Sequence, residues 1–477
     1  MKGIELTIVI MYILACIAIG LWVQRKATSS KDDYWVAGRN IGVFANTWAL
    51  MAALASGGSI LGVTALGYRM GIPYVFSMYA GAVVGFPLAA ILVARQLRNL
   101  GRYTITDFLS FRYDSIWVKV LVPIIIVLAM GTYIVAQMKA AGLAATFLLG
   151  IPYQQAVTIT GLVFIIYVSL GGMWAVTATD IMQGILVFGM LILVALVAMF
   201  SFGGPMALLT KATTAQPKLG TLAAMPLSSY IGAFVVWAGA IPIIPHIVMR
   251  IYTAKNAKSA QYALNYAMIL YSIMILIGVF GVSAAGHLVA PNLKDPDTLF
   301  LVLTNQYLPP LFAGLALAAV MAAVMSTTDA LLLSTASAVA HDIYYKLINP
   351  KASDKTIVKV GMVSTWVLGL SATYFAFNPP KLLTMLYTAA VGLLVSGLLV
   401  PTILGIWWKR ASTAGAVAGI ALGALSYLYL LWFTKMPSLT QILVSLPLSL
   451  VATVVVSYLT PPPDEELLIQ LEKLHSA

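Results

Sequence analysis

Long apolar stretches alternate with short polar loops along the whole chain. At 1.5 Å of rise per residue, about 20 apolar residues cross a bilayer as a helix. Segments that meet this length lie at about 4–23, 42–68, 74–96, 116–149, 154–171, 173–201, 228–250, 262–289, 308–345, 356–377, 381–407, 413–434 and 438–459. The pattern therefore predicts thirteen spans. Two of them are interrupted. The second carries Ser56-Gly57-Gly58-Ser59 near its middle, and the seventh carries Pro242 and Pro245. Each proline removes a backbone donor and clashes with the preceding turn. Unwound backbone survives at membrane depth only where it lines a protein cavity or water. For the glycines, a close helix crossing is the other reading. The two breaks sit five spans apart and open halves of opposite orientation, spans 2–6 and spans 7–11. That arrangement points to an inverted-repeat transporter with its site near the midplane.

The ninth span is the most polar of the long helices. In Ala322–Tyr345, Ser326, Thr327, Thr328 and Asp329 follow one another inside an apolar run. Helical spacing puts Ala323, Ser326 and Thr327 on one face, with Asp329 near Ser326 at i+3. A carbonyl, two hydroxyls and a carboxylate form a hard oxygen cluster suited to a small cation such as sodium. The alternative is that the hydroxyls bond back to their own helix and Asp329 faces a water-filled vestibule. The sixth span adds Asp180 beside Thr177, Thr179 and Gln183. Two carboxylates in one membrane core suggest cation or proton handling. Pairing with hydroxyls or with Lys139 is the structural alternative. On the fourth span Tyr133 and Gln137 share a face, whereas Lys139 points about 120° from Tyr133 and reads as a snorkelling or structural lysine. His246 reads as a structural hydrogen-bonding group. Arg95–Ser115 reads as an amphipathic cytoplasmic stretch with its charges solvated at lipid headgroups. Asn292–Pro310, with Asp295 and Asp297, reads as an extracellular loop and lid.

Composition sharpens this picture. Of 477 residues, 61% are hydrophobic and 9% charged, with a mean hydropathy of +0.96. That excludes a soluble domain and fixes the class as an all-α polytopic membrane protein. The net charge of +12 does not mark a nucleic-acid partner, because the basic residues alternate between sides. With the N-terminus outside, 19 of the 27 Lys and Arg residues fall in cytoplasmic stretches, Arg112 and Arg250 among them. Seven fall outside, including Lys2 and Lys381, and Lys139 is left within a span. The split predicts an N-out, C-in protein of the plasma (inner) membrane. The first segment is too long for a signal-peptide core and lacks a small-residue cleavage site, so it is expected to be retained. The single cysteine, Cys16, permits no internal disulfide. No zinc-ligand spacing, phosphate-binding loop or nucleophile–base pair occurs, so neither an ATP-driven pump nor an enzyme is indicated. The expected organisation is an extra helix and loop at 1–41, a first repeat at 42–201 and an extracellular loop at 202–227. A second repeat at 228–407, two further helices at 408–459 and a cytoplasmic tail at 460–477 complete it.

Four stretches taken together carry a resemblance: DDYWVAGRN at 32–40, GGMWAVTATDIMQG at 171–184, PHIVMR at 245–250 and AAVMSTTDALLLSTASAVAHDIY at 322–344. With them the chain, over about 5–460, resembles the sodium:solute symporter family. The resemblance implies thirteen helices with a LeuT-type 5+5 inverted repeat, sodium as coupling ion and no other cofactor. It implies sodium ligation by the carbonyls of Ala55, Gly58 and Ala323 and the hydroxyls of Ser326 and Thr327. Asp180 matches the family aspartate near that site. Asp329 stands where members with a second sodium carry a hydroxyl, so the two acids are expected to hold a second cation or a proton. The expected solute pocket is Ser56, Gly57, Ser59, Tyr133, Gln137, Trp237 and Gly239. Ser56–Ile72 looks like the pantothenate branch, and STTDALLLSTASA looks like the acetate branch. Tyr133 and Trp237 match an aromatic pair of the proline branch, which carries an aspartate where this chain has Gly57. The expectation is sodium-coupled uptake of a monocarboxylate or pantothenate-like acid. A proline symporter and a proton-coupled carrier of the same fold are the alternatives. Expected partners are the solute, sodium and membrane lipids.

Overall fold

The computed structural model describes residues 2–379 and 383–476; Lys381, counted above as an outside charge, lies outside the described residues. Among the described residues the regular structure is helical, with one isolated β-bridge between Ile41 and Ala254. The principal helices are α1 (Lys2–Ala27), α2 (Val43–Leu54), α3 (Gly58–Met70), α4 (Ile72–Leu92) and α5 (Ile116–Leu149). Next come α6 (Tyr153–Ser169), α7 (Gly171–Ser201), α8 (Leu227–Ala240), α9 (Pro245–Thr253) and α10 (Ala257–Val289). The remainder are α11 (Pro310–Ile348), α12 (Asp354–Phe375), α13 (Leu383–Trp407), α14 (Thr413–Phe433), α15 (Ile442–Leu459) and α16 (Glu465–His475). Among the described residues, 11 helices are long and apolar enough to cross a membrane, or up to 12 with the bent pair α2–α3 as one span. The expected fifth span, 154–171, is the shorter helix α6.

Both predicted interruptions are present. The chain bends by 53° between α2 and α3. The seventh span is split by a turn, with Pro245 at the start of α9, where its missing N–H would be unbonded in any case. At the start of α7, Gly172 takes φ +50° and ψ −157°, and a Cβ there would lie 2.8 Å from the Tyr34 carbonyl oxygen. Only glycine satisfies both conditions.

Burial orders the helices. In α11, 83% of the most apolar stretch is buried, against 28% in α15. Helix α11 packs against α1, α2, α5, the α6–α7 pair, α9 and α12. The exposed side chains of the outer helices form an apolar coat that includes Trp22, Trp117, Trp432 and Phe433. This is the surface a lipid-facing bundle requires.

The Arg95–Ser115 stretch departs from expectation. Its Ile105, Phe108, Leu109 and Arg112 are buried, not laid on headgroups. The Arg112 guanidinium donates to the carbonyls of Gly405 and Ala411, both at 2.9 Å, so it closes the ends of α13 and the following loop instead of standing in a solvated loop. The tail helix α16 docks on the same side, with the His475 ring 3.1 Å from both Gln96 Nε2 and the Ile406 carbonyl.

Candidate functional site

Helix α2 ends because the backbone turns out of it. Ala55 still donates to Met51 at 2.8 Å, but its ψ is 63°, and the next amide, Ser56, turns back to Leu54 at 2.8 Å. The Ala52 carbonyl thereby loses its helical donor. Helix α11 supplies replacements: Ser326 donates to Ala52 at 3.0 Å and Thr327 donates to Ala53 at 3.1 Å. Ser326 also lies 3.2 Å from its own-helix Ala323 carbonyl, so the cation-face and back-bonding readings of this serine both describe part of the geometry. Ser326 and Thr327 thus reach the end of α2, while the Ala323 carbonyl lies beside Ser326 on its own helix. Their hydroxyl contacts fall on Ala52 and Ala53, a few residues before the expected Ala55 and Gly58. The Gly58 carbonyl accepts from Val63 in a widened turn.

A second polar cluster lies beside this seam, fully buried. Asp180 pairs with Arg250, whose other amino group donates to Thr177 at 2.6 Å. Arg250, read as a cytoplasmic loop charge, is therefore inside the protein, and Lys139 is not the partner of Asp180. Asp329 lies within electrostatic reach of both Asp180 and Arg250. Neither of its oxygens has a hydrogen-bond partner among the described residues, nor do Asp180 Oδ1 and the Gln183 carbonyl oxygen. Gln183 donates instead to Tyr12 of α1 at 2.9 Å. As ionised groups, Arg250, Asp180 and Asp329 sum to one negative charge. A buried carboxylate with neither donor nor counter-ion is strongly disfavoured, and a proton or a small cation relieves it.

The expected solute residues fall on the other side of the break. Tyr133 stacks on Tyr387, with ring centroids 5.1 Å apart and planes at 17°, and Trp237 meets Tyr387 edge-on at 5.9 Å. The Gln137 amide is fully buried with both its nitrogen and oxygen unpartnered among the described residues. A Cβ on Gly57 would stand 3.2 Å from Gln137 Oε1 and 2.5 Å from Val324, so no side chain fits at position 57. Ser56 and Ser59 face each other across the break at 3.4 Å, and Ser59 donates to the Leu54 carbonyl at 2.8 Å.

Two expectations fail here. Gly239 lies two residues from Trp237 and so on the opposite helix face; a Cβ there would meet Leu399 and Val395 of α13, away from the aromatic group. His246 makes no structural hydrogen bond: both ring nitrogens are buried and unpartnered among the described residues, and the ring faces Tyr133 at 6.5 Å. Sequence reasoning also missed Tyr387, which sits in an otherwise plain apolar span. It missed Tyr79 and Tyr271 as well, whose rings lie 5.6 Å apart beside Ser59.

Ion pairs close both ends of the bundle. At one end Lys139 of α5 pairs with Asp297 of the connection between α10 and α11 at 2.9 Å, both buried. At the other end of α11, Asp107 meets His341 at 3.1 Å and Lys346 at 2.6 Å, and Lys346 also holds Asp342 at 2.9 Å. Burial alone would raise the Asp107 carboxyl, but the facing His341 and Lys346 charges outweigh it and hold Asp107 well below the usual carboxylate range. Its contribution to stability is therefore complete above about pH 4 and is lost as pH falls through the depressed native value.

The family model for the sodium:solute symporter family matches residues 34–423. The osmoregulated proline transporter OpuE of Bacillus subtilis (strain 168) is 29% identical over 467 residues, which cover 95% of this chain and 94% of that protein. A sodium-coupled sialic acid symporter, solved in a substrate-bound outward-open state, superposes with a TM-score of 0.83 at 21% identity, covering 97% of this chain and 99% of that one. MhsT in complex with L-phenylalanine superposes with a TM-score of 0.53 at 14% identity, covering 87% and 97%. The fold is accordingly that of the LeuT-type sodium symporters. A broken span facing a hydroxyl-rich helix, inside a family match that runs through both, leaves one assignment: this chain is an integral membrane transporter, not an enzyme, and it belongs to the sodium:solute symporter family.

Proposed function

We propose that the protein drives uptake of a small carboxylate-bearing solute by sodium symport, through alternating access in a 5+5 inverted repeat of thirteen helices with its N-terminus outside. The observation that carries the reading is the seam where Ser326 and Thr327 of α11 meet the freed carbonyls at the end of α2. Hydroxyl and carbonyl oxygens on two separate elements give a small cation ligands from both, so its binding fastens α2 to α11. Ala55, Gly58 and Ala323 complete the oxygen set at the break. Sodium that raises solute affinity is itself bound more tightly in the presence of solute, by the same factor. The membrane potential contributes about 2.3 kcal/mol per charge per 100 mV to inward sodium movement.

Asp180 and Asp329 hold a second cation or a proton in this scheme, with the Gln183 carbonyl oxygen beside them. The solute lies among Ser56, Gly57, Ser59, Tyr133, Gln137, Trp237 and Tyr387. Within the carboxylate class, a monocarboxylate or pantothenate-like acid fits the neutral pocket best: Gly57 has no room for an acidic side chain, and the Gln137 amide occupies that position. Proline is the second reading, favoured by the relation to OpuE and by the Tyr133–Trp237 pair. The test is uptake of labelled pyruvate, pantothenate and proline into proteoliposomes under an inward sodium gradient and an equal potassium gradient. Sodium-driven accumulation of one acid supports the first reading, and accumulation of proline alone replaces it with the second. Accumulation driven by a proton gradient without sodium would move the coupling to Asp329.

A further inference from the structure

The Lys139–Asp297 pair lies outside the proposed cation and solute sites, yet it is built into the element that carries Tyr387. Asp297 belongs to the turn Pro296–Thr298 of the lid loop and is fully buried. Its backbone N–H is held by Asp295 Oδ1 at 3.1 Å, which fixes the turn. One carboxylate oxygen, Oδ2, receives both Lys139 Nζ at 2.9 Å and the backbone N–H of Leu383 at 3.3 Å. Leu383 is the first described residue of α13. The next residue, Thr384, donates to the Gly62 carbonyl of α3 at 2.7 Å. One turn further on, the Tyr387 ring wedges between the break and Tyr133; a Cβ on Gly58 would lie 2.5 Å from Tyr387 Cε1. A continuous set of contacts thus runs from Lys139 on α5, through the lid loop, to the start of α13 and the aromatic group.

We propose that Lys139 and Asp297 are positioning residues for the solute: through the Leu383 N–H they seat the start of α13, and so hold Tyr387 over Tyr133 and Trp237 and close the pocket on its lid side. The inference rests on the solute pocket proposed above. Asp297 acts as a directional anchor here. A carboxylate taken from a loop into the protein interior is disfavoured unless a charge and hydrogen bonds answer it. Lys139 supplies the charge, and the α13 amide shares the same oxygen. Loss of either charge removes the charge match between the lid loop and α5, which drives the loop outward and releases the start of α13.

The test compares Lys139→Met, Asp297→Asn, the exchange K139D/D297K, Tyr387→Leu and Trp237→Leu in proteoliposomes. Proline and pyruvate serve as the labelled probes, and thermal stability is read in detergent. Lys139→Met, Asp297→Asn and Tyr387→Leu are each expected to raise the solute KM at least about tenfold. The sodium concentration for half-maximal uptake stays within about threefold. The charge exchange is expected to restore the solute KM to within about threefold of the parent. Solute and sodium constants moving together, with no recovery in the exchange, would mean the pair only holds the fold, and would overturn the proposal. Single variants with a normal solute KM beside an impaired Trp237→Leu would overturn this inference alone. A normal KM in Trp237→Leu would overturn the pocket reading and this inference with it.

Discussion

Two groups of buried charges sit in the same apolar bundle and are built on opposite terms. Lys139 and Asp297 match one to one, and the shared oxygen also takes a backbone amide. Arg250, Asp180 and Asp329 do not match: one cation faces two acids, and three carboxylate oxygens and an amide oxygen are left without partners among the described residues. Both groups carry the desolvation penalty of buried ions. In the first, the two charges cancel within the protein, although Asp297 Oδ1 has no hydrogen-bond partner among the described residues, so the charges define a geometry. In the second, one carboxylate charge is left over, which a proton or a small cation would relieve. Charge balance, more than the number of ionisable groups, is what differs between the two.

The contrast can be broken most severely at Arg250. Arg250→Leu strands two fully buried acids and is expected to lower stability by about 3–5 kcal/mol, read as a loss of folded yield and of Tm in detergent. A variant as stable as the parent would show that Asp180 and Asp329 are already neutral. A paired comparison comes next, because it predicts opposite signs. Asp297→Asn removes the carboxylate charge that faces buried Lys139 and is expected to destabilise by about 3–5 kcal/mol. Asp329→Asn removes an unanswered carboxylate and is expected to hold or raise stability, by up to about 1–3 kcal/mol, while the number of cations moved per solute changes. Equal losses in the two variants would erase the distinction. The smallest effect is expected at Thr327→Ala. Its hydrogen bond to Ala53 contributes about 1 kcal/mol, but the sodium concentration for half-maximal uptake should rise about tenfold, the factor that 1.4 kcal/mol produces. Normal sodium activation in that variant would remove α11 from the cation site.

How legible each part was in the sequence follows from how local its cause is. The break at Ser56–Ser59 was legible because a glycine pair and flanking serines announce it within four residues. Ser326 and Thr327 were legible because helical spacing alone puts them on one face with Ala323. The carbonyls they reach were placed slightly off, because the exact residue at which α2 unwinds is set by the Ser56 amide turning back to Leu54. Arg250 was misplaced for a different reason. Counting basic residues near span ends treats each as solvated, and its partner Asp180 is 70 residues away. Lys139 and Asp297 are 158 residues apart, one in a span and one in a loop, and no periodicity links them. Tyr387, beside Thr384 and Thr388, carried no charged or glycine signal to distinguish it from other span tyrosines; the stacking on Tyr133 does. Gly239 shows the converse error, since two residues along a helix from a correctly placed Trp237 is the far face.

The burial of α11 has a consequence for biogenesis. It carries Ser326, Thr327, Thr328 and Asp329 through the middle of the membrane, and an aspartate at the centre of an isolated span opposes insertion by about 2.5–3.5 kcal/mol. The helices that enclose it, α1, α2, α5, the α6–α7 pair and α9, all precede it along the chain; of its main partners only α12 follows. During synthesis the helices that enclose it, α12 excepted, have thus all been made before it leaves the ribosome. The helix with the most polar centre can enter protein instead of lipid, and the order of the sequence serves as the order of assembly.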